Sequence, residues 1–331
     1  MKKIKLFIVS ILIIFNSATL IADDFNDWKI KFKKRAINEG ISKSTVNNLI
    51  DNSKFLPDVI KYDRYQPEFD EDTKTYISKR TSSKKVKLGK IILNKENNII
   101  NKVSSEYKVD KNLRLALMGI ETNFGNYLGK MDIVSSLATL SYDQRRSEFF
   151  TKELITLLKL VDAKIIDPST LFGSWAGAFG NFQFMPSTIE NHAIDYNKDG
   201  SIDLKNIEDS FASAANYLSN LGWNDNTPCF YRINLNENIP DKYLNTSAKK
   251  IKHERKVKYL KNYIKNSSFL DKYDNLTAAI VTPDAEIVEN ANKLKPAYII
   301  FNNYKLILKW NRSLRFSLAV CTLKNSFENE T

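Results

Sequence analysis

The stretch Asp110-Lys-Asn-Leu-Arg-Leu-Ala-Leu-Met-Gly-Ile-Glu-Thr-Asn-Phe-Gly125 predicts an apolar helix that carries a carboxylate near its end. Asp110 is a suitable N-cap and Gly125 a suitable stop. Apolar side chains recur on one helical face, at Leu113, Ala116, Leu117 and Ile120. Glu121 lies beside that face, where burial disfavours the charged form of a carboxyl group. Taken alone, the stretch fits a salt-bridged or surface glutamate better than a catalytic one.

Helical patterns extend on both sides of this stretch, and one later segment differs. Apolar side chains recur at helical spacing through 24–97, with a break at Pro67, and again in 147–164 and 298–323. Between 226 and 298 the pattern is typical of short strands. We therefore predict a mainly α (α+β) protein, with a signal peptide at 1–22, an N-terminal helical region at 23–100, a core formed by 101–225 plus 299–331, and a small inserted α/β segment at 226–298.

The N-terminus is typical of a cleaved secretory signal. Three lysines precede an apolar run at 6–15, and small residues follow it. That run is about ten residues long, whereas a membrane-spanning helix needs about 20. We expect cleavage after Ala22, an exported periplasmic protein and no permanent membrane anchor.

Charge and cysteine content constrain the partners only loosely. The formal net charge of the whole chain is +12, and +9 remains without the three lysines of the predicted signal peptide. Since the basic residues are scattered, an ordinary solvated surface explains most of them, and we predict no nucleic-acid partner. Cys229 and Cys321 could form a disulfide in an oxidising compartment, but two buried free thiols are the favoured interpretation.

Several common chemistries are excluded by what the chain lacks. With two histidines and two cysteines, no zinc-binding spacing can be built. Neither a phosphate-binding P-loop nor a dinucleotide fingerprint is present. Gly173-Ser-Trp-Ala-Gly177 does not have the G-x-S-x-G order of a serine-hydrolase nucleophile elbow.

Six motifs, in chain order, resemble those of the lytic murein transglycosylase B family. They are Asp63-Arg-Tyr-Gln-Pro-Glu-Phe69, Glu121-Thr-Asn-Phe-Gly125, Gly173-Ser-Trp-Ala-Gly-Ala178, Gln183-Phe-Met-Pro-Ser187, Leu221-Gly-Trp223 and Trp310-Asn-Arg-Ser313. The resemblance covers nearly the whole chain after residue 24. It implies a lysozyme-like catalytic core and a carbon–oxygen lyase that acts on peptidoglycan glycan strands.

The resemblance also implies a mechanism that needs only one carboxylate. Glu121 would protonate the glycosidic oxygen between MurNAc and GlcNAc and then act as the base for the C6 hydroxyl of the same MurNAc, which gives a 1,6-anhydro end. A hydrolase usually pairs its acid with a second carboxylate. Two alternatives stay open: a muramidase that hydrolyses the bond with water, and a non-catalytic peptidoglycan-binding protein.

By motif position, several polar and aromatic residues would bind the sugar strand: Ser174, Gln183, Asn311, Asn123, Trp310 and Phe316. Each polar residue also has a structural interpretation: Ser174 as a turn residue, Gln183 as a partner of backbone groups, Asn311 as a helix cap. The chain departs from the family pattern where Trp310 and Phe316 replace tyrosines and where Asn181 replaces a glutamine. These departures affect the fine contacts with substrate rather than the class of reaction.

One further pattern resembles the first nine positions of an EF-hand calcium loop. Oxygen-bearing side chains fall at the expected spacing, at Asp195, Asn197, Asp199, Ser201 and Asp203, with Gly200 at the turn. The usual glutamate is replaced by Asn206, and Asp209 could take its place. The alternative is a polar turn without metal. We predict a structural Ca²⁺ of weak affinity, no cofactor for the chemistry, and a monomer.

Overall fold

The computed structural model describes residues 24–65 and 71–328. The predicted signal peptide, and residues 66–69 of the first motif, lie outside the described residues. In chain order the helices are α1 (24–38), α2 (Lys43–Ile50), α3 (Pro57–Arg64), α4 (Thr73–Arg80), α5 (Ser83–Lys95), α6 (Asn97–Tyr107), α7 (Lys111–Thr122), α8 (Ile133–Tyr142), α9 (Ser147–Asp162), α10 (Pro186–His192), α11 (Ile207–Leu221), α12 (Val257–Leu260), α13 (Asn302–Trp310) and α14 (Leu314–Glu328). None of the described helices combines the length and the apolar character needed to cross a bilayer.

Seven short strands complete the described structure: β1 (Met131–Asp132), β2 (Phe172–Gly173), β3 (Phe230–Ile233), β4 (Leu244–Asn245), β5 (Arg255–Lys256), β6 (Thr277–Val281) and β7 (Ala297–Ile300). Five of them lie within 226–300, where the sequence predicts strands. The predicted mainly α (α+β) class is therefore confirmed.

The chain divides into two compact units. The described part of the first unit comprises residues 24–65, 128–191 and 198–203, and the remainder forms the second unit. This division cuts across the predicted segments, because α4, α5 and α6 belong with α7 and α14 rather than with α1 to α3. The segment boundaries predicted from the sequence stay predictions.

The first unit is built around α8. Nine of its ten residues are buried, and the buried polar ones are small serine and threonine side chains. The helices α2, α3 and α9 pack against it, and β1 pairs antiparallel with β2 beside its N-terminus. The side chains of Ser135 and Thr139 accept hydrogen bonds from the backbone N–H groups of Lys54 and Leu56, which fixes the segment before α3.

The second unit places a small sheet between two apolar layers. The strand order is β3-β7-β6-β4, with β5 paired to β6, and only the β4–β6 pair is parallel. Alternate residues of β6 point to opposite layers, so Ala278 and Ile280 join one apolar cluster, whereas Ala279 and Val281 join the other. The second cluster includes side chains of α13 and α14.

The prediction of two free thiols is wrong. Cys229, just before β3, and Cys321, in α14, form a disulfide with a Cα–Cα distance of 6.2 Å. The two cysteines are 92 residues apart in the sequence, and no local pattern shows that β3 begins next to α14. The disulfide joins the mixed segment to the helix that packs against α7.

Candidate functional site

The turn after α7 is fixed by the residue that follows Glu121. Thr122 Oγ1 donates to the carbonyl oxygen of Met118 at 3.1 Å and accepts from the backbone N–H of Gly125 at 3.0 Å. Asn123, Phe124 and Gly125 then have φ angles of 50°, 60° and 82°. Three successive left-handed residues end the helix sharply and leave Glu121 in its last turn. The threonine and glycine of the E-T-x-x-G motif therefore have structural roles that serve the glutamate.

The aromatic ring of the motif holds this turn against the helices. A Cβ atom on Gly119 would lie 2.7 Å from the ring of Phe124, and one on Gly89 of α5 would lie 2.6 Å from Phe327 of α14 and 3.0 Å from Phe124. The two glycines thus leave the space that both rings fill. The close packing of α5, α7 and α14 sets the position of the turn and of Glu121.

Glu121 is partly exposed and accepts a hydrogen bond from Trp310 at the end of α13. The indole Nε1 of Trp310 lies 3.1 Å from Glu121 Oε1. The Trp310 ring stacks on Tyr217 of α11 with centroids 5.1 Å apart, and Tyr217 stacks on His192 with centroids 4.4 Å apart. The structure thereby brings together Glu121 and Trp310, as the sequence predicts for a common site.

Tyr217 and His192 are members of this stack that no sequence motif indicates. Burial raises the pKa of Tyr217 and lowers that of His192, so both rings are uncharged at neutral pH. The side-chain amide of Asn216 donates to the His192 carbonyl oxygen at 2.9 Å. His192, Tyr217 and Trp310 lie in three different helices, and local sequence patterns do not show that their rings stack.

A cavity of about 440 Å³ adjoins Glu121 within the second unit. One wall comes from α4, α5 and the turn between them, and the other from the end of α7 and the residues after it. Its lining residues are Lys79, Ser82, Lys84, Lys85, Leu88, Ile120, Glu121, Thr122, Asn123 and Tyr127. The predicted substrate residue Asn123 thus shares a cavity with Glu121.

Asn311 and Phe316 differ in their availability to a ligand. Asn311 is partly exposed at the C-terminus of α13, and its side-chain amide makes no hydrogen bond with the described residues. Phe316, in α14, is 4% exposed. Ser313 Oγ accepts from the Phe316 backbone N–H at 3.2 Å and caps the start of α14. The serine of the W-N-x-S motif therefore shapes the helix, whereas the asparagine can reach a ligand.

Ser174 and Gln183 lie in the first unit, on a glycine-rich loop. Ser174 Oγ accepts from the backbone N–H of Ala178 at 3.1 Å, and the Ala178 carbonyl accepts from the Ser174 N–H at 2.8 Å. At Gly177, where φ is 87°, a Cβ would lie 2.5 Å from Leu137 of α8. The serine hydroxyl thus closes a tight turn that only glycine can complete.

The amide of Gln183 has a fixed orientation. Its Nε2 donates to the carbonyl oxygens of Leu128 at 3.3 Å and Gly180 at 3.0 Å. Because both neighbouring backbone groups are acceptors, the nitrogen of the side-chain amide faces them and its oxygen points away. That oxygen has no hydrogen-bond partner among the described residues. The backbone of Gln183 is itself left-handed, with φ at 49°.

Two acidic residues of the predicted calcium loop accept hydrogen bonds from backbone N–H groups. In the second unit, Asp209 is fully buried, and its Oδ1 accepts from the N–H groups of Tyr196 at 2.8 Å and Asn197 at 3.3 Å. In the first unit, Asp199 Oδ1 accepts from the N–H of Ser201 at 3.0 Å. No group of three or more acidic, histidine or cysteine side chains is arranged as a metal site within 24–65 and 71–328.

Comparisons with known proteins identify the family of this chain. The family model described as Transglycosylase SLT domain matches residues 24–325. The membrane-bound lytic murein transglycosylase B of Escherichia coli (strain K12) is 37% identical over 149 residues, a region that is 45% of this chain and 41% of that relative. The matched region therefore spans less than half the length of that curated relative.

Solved structures match over most of the chain. SltB3 from Pseudomonas aeruginosa, in complex with NAG-anhNAM-pentapeptide, superposes with a TM-score of 0.81 at 29% identity and covers 92% of this chain and 80% of its own. The Escherichia coli lytic transglycosylase SLT35, in complex with calcium, has a TM-score of 0.75 at 24% identity, with 91% of this chain and 92% of its own covered. The predicted lysozyme-like fold is confirmed. Since the family model matches nearly every described residue, the chain belongs to the Transglycosylase SLT domain family.

Proposed function

We propose that this protein is a peptidoglycan lytic transglycosylase with Glu121 as its single acid and base. The observation that carries the proposal is the position of Glu121, in the last turn of the buried helix α7, next to a cavity and hydrogen-bonded to Trp310. Membership of the Transglycosylase SLT domain family and the likeness to a structure that holds a peptidoglycan fragment support the same reaction.

The proposed reaction cleaves the MurNAc–GlcNAc β-1,4 bond without water. Protonated Glu121 donates its proton to the glycosidic oxygen, the bond to C1 of MurNAc breaks, and GlcNAc leaves with the proton. The Glu121 carboxylate then takes the proton of the MurNAc C6 hydroxyl while the C6 oxygen bonds to C1 of the same sugar. This step restores the protonated acid and leaves a 1,6-anhydro end. Intramolecular attack benefits from the proximity of the two reacting atoms.

The described side chains suggest how the strand and the acid are held. The indole N–H of Trp310 fixes one oxygen of Glu121, and the stack behind Trp310 restricts the movement of its ring. We propose that the side-chain amides of Asn123 and Asn311 bind the sugars. Ser174 and the side-chain amide oxygen of Gln183 would be further strand-binding groups. Phe316 is too deeply buried for direct contact, and we propose instead that it supports α14.

Export and calcium binding are two further parts of the proposal. A cleaved signal peptide would deliver a protein without a permanent membrane anchor to the periplasm, and N-terminal sequencing of the secreted protein tests this. The spacing within 195–203 and the calcium-bound SLT35 structure support a weak calcium site. In the described structure the Asp199 and Asp209 carboxylates each accept backbone N–H groups through Oδ1.

Mass spectrometry of the products from purified sacculi tests the reaction. We expect muropeptides that end in 1,6-anhydro-MurNAc. A hydrolysing muramidase would instead give reducing ends heavier by one water. A non-catalytic peptidoglycan-binding protein would sediment with the sacculi and release no soluble fragments.

A further inference from the structure

The cavity next to Glu121 has one wall that carries three lysines. Lys79 lies at the end of α4, and Lys84 and Lys85 lie in the first turn of α5. Across from them are Glu121 and Asn123 at the end of α7. A catalytic carboxyl group and a basic wall therefore share one space within the second unit.

The charges on this wall are not all neutralised. Lys79 pairs with Glu71 at 2.6 Å, and the same carboxylate also binds Arg80 at 3.0 Å. Lys84 is exposed, Lys85 is half-buried, and neither makes an ion pair with any residue within 24–65 and 71–328. Two ammonium groups are thus left to meet a negatively charged ligand.

Lys85 is the more informative of the two. Its Nζ donates to the carbonyl oxygen of Gly119 at 2.7 Å, which holds the ammonium group against the last turns of α7. Burial lowers the pKa of Lys85, and the nearby charge of Arg80 lowers it further. A half-buried cation without a counter-ion is costly, and an anion in the cavity would offset that cost.

The rest of the lining indicates what kind of anion fits. Leu88 and Ile120 contribute apolar surface, and Tyr127 is 73% exposed. A small inorganic anion would use none of that apolar and aromatic surface. An acidic peptide would use both, because its carboxylates can reach the lysines while its methyl and methylene groups cover the apolar part.

We infer that this cavity is a subsite for the stem peptide of the peptidoglycan strand, with Lys84 and Lys85 binding a peptide carboxylate next to the bond that Glu121 cleaves. The inference rests on the proposed function for its substrate class. It makes α5 a determinant of specificity, because strands whose stem carboxylates are blocked or absent would lose this contact.

Lys85 could instead serve the fold alone. A cation at the C-terminus of a helix stabilises it, and the bond to the Gly119 carbonyl fits such a role. That role predicts a loss of stability on substitution and the same binding change for every substrate. The binding inference predicts a change that depends on the carboxylates of the ligand.

Calorimetry that measures the binding of three soluble strands to the full mature chain distinguishes the structural role of Lys85 from the ligand-binding role. The background carries Glu121→Gln so that the strands are not consumed. The strands bear stem peptides with free carboxylates, stem peptides with amidated carboxylates, or no peptide, in which case the lactyl carboxylate of MurNAc is free. Parallel melting curves report on folding.

We expect Lys85→Gln to weaken binding of the free-carboxylate strand about tenfold, as for loss of a hydrogen bond to a charged group, and Lys84→Gln to weaken it about threefold, because Lys84 is exposed. Binding of the amidated strand should stay unchanged, and Lys85→Arg should restore binding. The matched control is Lys87→Gln, an exposed lysine of α5 that does not line the cavity.

Equal losses on all three strands, or none, would overturn the inference. A loss confined to the strand without peptide would overturn the stem-peptide assignment in favour of the lactyl carboxylate. If the strands bind as predicted but the wild-type protein releases no product from sacculi, the proposed function fails and the peptide subsite stands.

Discussion

The turn after α7 and the loop 195–209 both match polar motifs, but their carboxylates have different tasks. In the α7 turn, Thr122 and the backbone make the structural hydrogen bonds, and apolar rings fill the space below. Glu121 bonds to a side chain, Trp310, and lines a cavity. In the loop, Asp209 is fully buried and accepts two backbone N–H groups, so its carboxylate holds the chain in place.

The contrast between the α7 turn and the loop 195–209 indicates under which conditions a motif residue is available for chemistry. Where a packed apolar frame and a hydroxyl group satisfy the backbone, the acidic side chain is left for a substrate. Where acidic side chains accept backbone N–H groups themselves, part of their hydrogen-bonding capacity already stabilises the loop. The frame of the α7 turn should therefore respond to packing changes, and the loop should respond to calcium.

The largest effect on stability should come from the Cys229–Cys321 disulfide, which joins the segment before β3 to α14. Replacing Cys229 and Cys321 together by alanine should lower the free energy of unfolding by about 4 kcal/mol, because the loop that the disulfide closes is long. Urea denaturation of the wild type with and without reductant gives the comparison. If reductant does not move the midpoint, the disulfide does not support the fold.

Gly119→Ala should be next in size. The added methyl would lie 2.7 Å from the buried ring of Phe124, and overpacking of this kind costs about 1–3 kcal/mol. The double variant Gly119→Ala/Phe124→Leu should regain part of the loss, because a smaller side chain leaves room for the methyl. Equal melting temperatures for Gly119→Ala and the wild type would contradict the tight frame.

Thr122→Val should cost about 1–2 kcal/mol, since it removes a hydroxyl group that makes two hydrogen bonds but keeps nearly the same shape. Activity should fall as well, because the turn positions Glu121. Thr122→Ser keeps the hydroxyl and is the matched control. A valine variant as active and as stable as the serine variant would show that the hydroxyl is dispensable.

Calcium should have the smallest effect. At a free concentration of ten times the dissociation constant, a single site adds about 1.4 kcal/mol to the stability of the folded state. Asp199→Ala should abolish the resulting rise in melting temperature, whereas Asp58→Ala, at an exposed position of α3, should not. No rise at millimolar calcium in the wild type would leave 195–203 as a plain polar turn.

Local sequence patterns could predict the parts of the site that depend on one segment. The apolar face of α7, its N-cap at Asp110 and its end after Glu121 all follow from neighbouring residues. The helical segments and the strands of 226–300 follow from their periodicity. These features depend on side-chain spacing, which the sequence shows directly.

The parts that depend on long-range packing could not be predicted. Three contacts join residues that are distant in the sequence or come from different helices. They are the Cys229–Cys321 disulfide, the stack of His192 on Tyr217, and the hydrogen bond from Lys85 to the Gly119 carbonyl oxygen. Phe316 illustrates the same limit: its motif position suggests a contact with substrate, but the packing of α14 buries it.

The most direct test of the central claim is the lysis of purified sacculi by the Glu121→Gln variant, measured beside its melting curve. Glutamine keeps an oxygen that can accept from Trp310 Nε1, so the fold should be as stable as the wild type or more so. Lysis should fall by about 10⁴-fold, at the upper end of what one acid–base group contributes, because the same group acts twice. A folded variant that retains more than roughly a tenth of the wild-type rate would contradict the assignment of Glu121.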